Sequence, residues 1–433
     1  MEQADKLCGA PESAPPHTAA RFLFAVVLLN ILVHLFAAMD RQILGILLPQ
    51  MKQALHLSDS ELGLLGGLPF ALCYSLFSIP IAWLADARYP RTSVVAIAMA
   101  TWSMATALCG LAVNFVSMFG LRMGVGAAES GAHPGTYSIL TDYFSSRMKA
   151  RVIAFCGIGA AAGQVAALGL GGRLAESCGW RLTFLLIGAP GLLVAILFKV
   201  IVTEPPRTVR ERGQRTLFSD MALLFRSRAF PLLLGGAGFA ATVPFSINTW
   251  MPSYLMRRFH IGSAHAGGVL AAIFAIIGLL TPLIAAWISD LLATRDKRWP
   301  FWIGAGLYLL TAPAFAFTIL APNLATTSIM LGVTMVLLTG VAPLVAVMAQ
   351  EIAPEFKASA VAAYLVGINL IGNGFGPWLV GALSDALAPS FGTASLRAGL
   401  LVLAPLPAFS GIALWLCSRS LAPSHSVSQA DHS

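Results

Sequence analysis

Four ionisable side chains stand isolated within long apolar stretches of the 433-residue chain: Asp40, Arg41, Arg122 and Glu129. A charge at the centre of a lipid-crossing helix costs about 2.5–3.5 kcal/mol on insertion scales. Such groups therefore face a cavity, pair with one another, and mark function by default. Arg122 and Glu129 are seven residues apart, two turns along one helix face, and His133 lies one turn further on that face. Two carboxylates and two guanidiniums can neutralise one another between two helices. Protonating Glu129 or Asp40 frees an arginine, and ionising it restores the pair. That is a two-state switch biased by a proton and by an anionic ligand. We assign Asp40, Glu129 and His133 to proton coupling, and Arg41 and Arg122 to the substrate and charge network. The alternative is a fixed ion pair that locks two helices together. His34 is read as packing or facing water.

A second set of residues is polar but uncharged. Gln164 in the first half and Asn248, Asn369 and Asn373 in the second are candidate cavity groups; Asn369 and Asn373 share a helix face at i, i+4. Trp250 is taken as an aromatic wall or an interface-belt residue. A third set sits where spans end. Asp86, Arg88, Arg91, Asp142, Arg151, Asp290 and Arg295 are positioned to form inter-helix salt bridges that break as a gate opens. Positive-inside topology alone explains the basic members but not the repeated aspartates. No nucleophile elbow, Walker loop, zincin motif or dinucleotide fingerprint is present, so no catalytic or metal residue is assigned. The six cysteines are scattered, without C-x-x-C spacing, and read as small packing residues. Without a nucleotide site, an ion gradient is the natural energy source, with the proton as coupling ion and no other cofactor.

Such isolated charges need helices around them, and the composition supplies these. The chain is 57% hydrophobic and only 11% charged, against about 25% charged in soluble proteins. That excludes a soluble enzyme or a nucleic-acid-binding protein. The apolar runs are too long and uniform for barrel strands. About 20 apolar residues cross a bilayer, and twelve spans fit: 21–50, 60–85, 92–112, 114–140, 149–175, 180–202, 229–256, 264–289, 299–320, 325–350, 358–383 and 396–419. The fold class is thus an all-α membrane protein of two six-helix bundles, at 21–202 and 229–420. A tail over 1–20 and another over 421–433 flank them. A polar linker over 203–228 joins them, with an amphipathic helix from Gln214 to Arg228.

This layout puts nineteen of the 27 basic residues on the side of the two tails and six on the other, so both termini are assigned to the cytoplasm. The halves repeat. Ala82-Trp83-Leu84-Ala85-Asp86 recurs as Ala286-Trp287-Ile288-Ser289-Asp290, and Gly63 and Phe70 recur as Gly267 and Phe274. Lys149 and Gly159 recur as Lys357 and Gly367 at a slightly longer offset. Two like-oriented halves place a site between them, suited to alternating access.

The chain resembles the major facilitator superfamily, and within it the Spinster-like transporters. The resemblance rests on Met39-Asp40-Arg41-Gln42-Ile43-Leu44, Leu57-Ser58-Asp59-Ser60-Glu61-Leu62-Gly63, Arg122-Met123-Gly124-Val125-Gly126 with Glu129 and Pro134, Gly179-Trp180-Arg181, Glu204-Pro205-Pro206-Arg207, Asn369-Leu370-Ile371-Gly372 and Gly376-Pro377. The superfamily's span 2–3 motif is degraded, with Ala82 where glycine is usual and Ala87 where a basic residue is usual. The resemblance implies proton-linked transport of an amphipathic lysophospholipid- or sphingoid-like substrate, or of an organic anion. It maps the family's charged pairs onto Asp40, Arg41, Arg122 and Glu129. The expected setting is a bacterial inner membrane, as a monomer whose partners are the bilayer and a small amphiphile, with no nucleic acid. Two other readings are a passive facilitator and an intramembrane lipid-modifying enzyme using Ser130 or Ser138.

Overall fold

The computed structural model describes residues 16–87, 89–205, 224–226, 229–293, 298–352 and 357–419. The described residues outside the loops are helical. The first half comprises α1 (Pro16–Leu55), α2 (Asp59–Ala87), α3 (Arg91–Cys109), α4 (Phe115–Glu129), α5 (Ala132–Tyr143) and α6 (Ser146–Ile201). The second comprises α7 (Ala229–Phe259), α8 (Ser263–Ala293), α9 (Trp299–Leu320), α10 (Leu324–Ile352), α11 (Lys357–Ile368), α12 (Gly376–Phe391), α13 (Ser395–Val402) and α14 (Leu406–Arg419).

Local chemistry explains where these rods differ from the expected spans. The fourth span is split into α4 and α5 because Pro134 lacks the N–H that would bond Ser130, so the helix breaks at residues 130–131. The fifth and sixth spans run together as α6. They are divided only at Gly179, whose φ of 77° turns the chain in a conformation open to glycine. The eleventh span contains a π-helical stretch, Asn369–Phe375, between α11 and α12. Pro377 begins the regular helix after it and leaves the Asn373 carbonyl without its i+4 donor. α1 begins at Pro16 and takes in residues assigned to the tail, with proline at a position where a helix tolerates it. The linker helix expected over Gln214–Arg228 lies outside the described residues except for helical 224–226. Residues 1–15 and 420–433 lie outside them too.

Side chains divide as a lipid solvent dictates. Large apolar residues such as Ile97, Leu111, Val116, Val200 and Phe317 are exposed around the outside. Buried threonines, including Thr311, Thr318 and Thr334, return their hydroxyls to the carbonyl four residues back, so little polar surface is left unpaired. The halves meet along α2 with α12 and the π stretch, α6 with α8, and α1 with α7. Below, the near end is the one at which α1 starts and α14 stops; the far end is opposite.

Candidate functional site

A cavity of about 190 Å³ lies between the halves. From the first half, His34, Arg41, Arg122, His133 and Gln164 line it; from the second, Phe245, Asn248, Thr249, Asn369 and Asn373. Four of the five expected polar cavity residues are therefore in place. Trp250 is the exception. It is fully buried away from the cavity and donates Nε1–H to the Pro377 carbonyl at 2.8 Å. It ties α7 to α12 and is neither a cavity wall nor an interface-belt residue. His34 packs, as one of its two expected readings had it, and also lines the cavity. It is 2% exposed, donates Nδ1–H to the Asn30 carbonyl at 2.9 Å, and stacks edge-on against His133 at 4.8 Å.

The four charges are brought together, but not as one mutual quartet. Arg41 donates Nε–H to Glu129 Oε1 at 2.7 Å, and its Nη2 contacts the same oxygen. Glu129 is fully buried, and its Oε2 has no partner among the described residues. Arg41 Nη2 also lies 3.5 Å from His133 Nε2, so that ring nitrogen acts as acceptor. Asp40 follows a different course. Adjacent residues on a helix point about 100° apart, and Asp40 turns toward α3, where Thr106 donates its hydroxyl at 2.5 Å. Arg122 is 1% exposed, with Nε and Nη1 lacking any acceptor among the described residues. Both guanidiniums lie near the Phe70 ring, Arg41 at 5.3 Å and Arg122 at 5.8 Å from its centroid, and Arg41 lies 5.6 Å from Tyr74. The ring faces offset part of the cost of desolvating the cations. Phe70, Tyr74 and Thr106 carry no charge, so an inventory of ionisable groups passes over them; the repeat pairing Phe70 with Phe274 was the available signal.

The near-end charges behave differently from a gate between halves. Arg91 donates Nη1–H to Asp142 Oδ2 at 2.5 Å and to Ser138 at 2.8 Å, and Nε–H to Glu204 Oε1 at 2.8 Å. Arg91, Ser138 and Asp142 belong to the first half and Glu204 follows directly on α6, so the cluster clamps α3, α5 and the exit of α6 within one bundle. Glu204 is held below its ordinary value of 4.5: burial pushes it up, but the Thr92 backbone N–H and Arg91 outweigh that. Arg151 is exposed. Arg88 and Arg295, and the side chains of Asp86 and Asp290, lie outside the described residues.

Among the described residues, the hydrogen bonds and ion pairs between halves run from the cavity to the far end. Arg257 of α7 makes a two-pronged ion pair with Asp59 at the start of α2, both contacts at 2.8 Å. Lys52 and Ser384 also donate to Asp59, at 2.6 and 2.7 Å. Asp385 of α12 caps α2, accepting the backbone N–H of Asp59 at 3.1 Å and of Ser60 at 2.7 Å. Glu176 of α6 does the same for α8, accepting the Ala264 N–H at 2.9 Å. A carboxylate at a helix N-terminus meets free donors and the positive end of the dipole. Between these caps the backbones touch. A Cβ on Gly63, Gly67, Gly172, Gly267 or Gly381 would fall within 3.0 Å of a carbonyl oxygen of the opposite half. The far end is sealed.

Two helical bundles related by repetition, closed at one end over a charged central cavity, define a membrane transporter of the alternating-access class. The family model described as Major Facilitator Superfamily matches residues 31–377, and the chain belongs to that family. It is accordingly a transporter and not an enzyme. It is 30% identical over 383 residues to an MFS-type efflux pump of Mycolicibacterium smegmatis, covering 88% of this chain and 89% of that one. It is 26% identical to a probable L-galactonate transporter of Escherichia coli (strain K12), covering 75% and 72%. It superposes with TM-score 0.81 on a bacterial homologue of the human lysosomal transporter Spinster in an inward-facing, unoccupied conformation, at 25% identity over 94% of this chain and 98% of that one.

Proposed function

We propose that this transporter moves a small organic anion together with a proton. The observation that carries this reading is the state of the two arginines. Glu129 holds Arg41, while Arg122 lines the same cavity with no hydrogen-bonded carboxylate among the described residues. An incoming carboxylate completes Arg122. A proton on Glu129 releases Arg41 and raises the cavity charge by one, so proton and anion favour each other's binding. Binding linkage is reciprocal, and their joint presence moves both across. Asp40, tethered by Thr106, is the second proton acceptor, and His133, whose Nε2 lies 3.5 Å from Arg41 Nη2, is the third group of the proton-coupling set. The amides of Gln164, Asn248, Asn369 and Asn373 supply hydroxyl-binding groups. A cavity of about 190 Å³ and the L-galactonate transporter among the relatives both favour a sugar-acid-sized ligand.

The near end faces the cytoplasm of a bacterial inner membrane in this reading, by the bias of basic residues toward that side. The state described is then open toward the inside. A lysophospholipid-like substrate is the second reading. It is supported by the likeness to the Spinster homologue and by an apolar groove on α1, lined by Leu23, Phe24, Val27 and Ile31, that suits an acyl chain. Proteoliposomes under an imposed pH gradient test both. Uptake of hexonates coupled to proton flux, lost in Glu129→Gln with substrate exchange retained, is the expected result. Movement of labelled lysophospholipid but of no hexonate selects the second reading. Unchanged coupling in Glu129→Gln refutes the proton assignment.

A further inference from the structure

Above the far-end seal lies a second cavity, of about 670 Å³, larger than the central one. Its walls carry Lys52, Arg257, Arg258, His260 and Arg397 against two carboxylates, Asp59 and Asp385. Both carboxylates are already engaged. Asp385 is turned into the N-terminus of α2, and Asp59 is shared by Arg257, Lys52 and Ser384. Arg258 is exposed and stacks near Phe259, with no carboxylate within salt-bridge distance among the described residues. Arg397 spends two of its nitrogens on the carbonyls of Ile319 and Leu320. Two guanidiniums therefore face the vestibule without anionic partners, and a third, Arg257, is held only by the seal's own carboxylate.

The charge is confined to one side. Residues 56, 59, 60 and 63 have their repeat partners at 260, 263, 264 and 267, a constant offset. On that register Asp59 corresponds to Ser263, Arg257 to Gln53 and Lys52 to Met256. The twin contact is neutral, with Ser263 Oγ donating to the Gly172 carbonyl at 2.9 Å. Closing the far end requires the paired caps and glycines on both sides. Arg257 takes part in that closure through Asp59, but Arg258 and Arg397 make no hydrogen bond or ion pair to the opposite half among the described residues.

We propose that this vestibule is an oxyanion-binding subsite, in which Arg258 and Arg397 capture a carboxylate- or sulfate-type anion that then competes with Asp59 for Arg257. Capture and unlatching are thereby one event: the anion that occupies the vestibule withdraws the guanidinium closing the far end. The proposal extends the anion-transport reading but concerns separate residues.

The test is thiol protection. Ala388, an exposed residue lining the vestibule, is replaced by cysteine in a chain whose Cys8 and Cys178 are serines, and labelling by a charged maleimide is timed in detergent. Millimolar sulfate and D-gluconate, compared with chloride at equal ionic strength, are expected to slow labelling several-fold. Protection by sulfate alone identifies an inorganic oxyanion as the ligand; protection by both identifies the general oxyanion class. Arg258→Gln with Arg397→Gln is expected to abolish protection, and Arg258→Lys with Arg397→Lys to retain it. Asp59→Asn, which frees Arg257, is expected to lower the concentration needed. Arg122→Gln leaves protection intact if the vestibule acts on its own account, whatever becomes of the central site. No protection by either anion, or protection that survives the double glutamine variant or disappears in Arg122→Gln, overturns the proposal.

Discussion

Gly67→Ala tests the far-end seal most directly. A Cβ at Gly67 would be driven onto the backbone carbonyl of Asn373, far inside the 3.0 Å that real Cβ contacts respect. The obstacle is main chain in the π stretch of the other half, so no rotamer relieves it and the two backbones must part. Overpacking of this kind costs about 1–3 kcal/mol. That cost falls only on the sealed state, so the equilibrium shifts away from it by roughly 5- to 150-fold. Spin labels at Gln53 and Ala388, both exposed at the far end and in opposite halves, report the shift as growth of a longer distance. Gly66→Ala meets a side-chain methyl of Thr249 at 2.6 Å and should shift the distribution less, because a side chain can yield. Gly120→Ala meets nothing within 4 Å and should leave it unchanged. A folded Gly67→Ala protein with an unaltered distance distribution refutes the claim that these glycines define the closed state.

Two further outcomes follow from the ion pairs. Asp59→Asn removes the acceptor of a two-pronged charged hydrogen bond, which is worth roughly 1.5–3 kcal/mol, so the same label pair should open by about ten-fold or more in population. Raising salt should move the native chain in the same direction. Glu204→Gln probes the near-end clamp through pH. Because the folded chain holds Glu204 below its ordinary value, through the Thr92 N–H and Arg91 against burial, its stabilisation is complete above the ordinary carboxylate range. It is lost as pH falls through the depressed folded value. The melting-temperature gap between native and Glu204→Gln protein should be constant near neutrality and narrow below about pH 4.5. A gap that widens on acidification refutes the assignment.

The sequence made some of this legible and hid the rest for definite reasons. Charges buried in apolar runs advertise themselves because lipid makes them costly; Asp40, Arg41, Arg122 and Glu129 were found on that ground alone. Their partners were not. Whether Asp40 meets Arg122 or Thr106 depends on the rotation of α1 against α3, and hydropathy does not encode helix rotation. The π stretch is equally invisible to a 3.6-residue period. It brings Asn369 and Asn373 into side-chain contact at 3.4 Å while presenting the Asn373 carbonyl to Gly67. The charges that end spans were read as inter-helix bridges of a gate; Arg91 and Asp142 do bridge two helices, but within one bundle, and the further partner Glu204 was not foreseen. Trp250 was misplaced because a tryptophan's wish for one hydrogen-bond acceptor can be met by Pro377 inside a bundle as well as at an interface.

The repeat separates what both halves need from what only one does. Gly63 and Gly267, Gly172 and Gly381, Asp385 and Glu176, and the left-handed His56 and His260 recur in matching roles at the far end. An interface closed by a pseudo-two-fold operation needs the same shape on each side of the axis, so close approach and the carboxylate helix caps are duplicated. The buried charge of the cavity is not. At the offset that relates the first helices of the halves, Asp40 corresponds to Pro244 and Arg41 to Phe245, and Phe245 lines the cavity wall contributed by the second half. A second buried Arg–Glu pair would add another desolvation cost without being required for closure. Among the lining residues, the first half thus carries the titratable groups together with Gln164, and the second half carries only uncharged ones, Asn248, Asn369 and Asn373 among them. Phe245→Arg should therefore impair transport and loosen the sealed state, because no carboxylate is among the described residues that line the cavity with it.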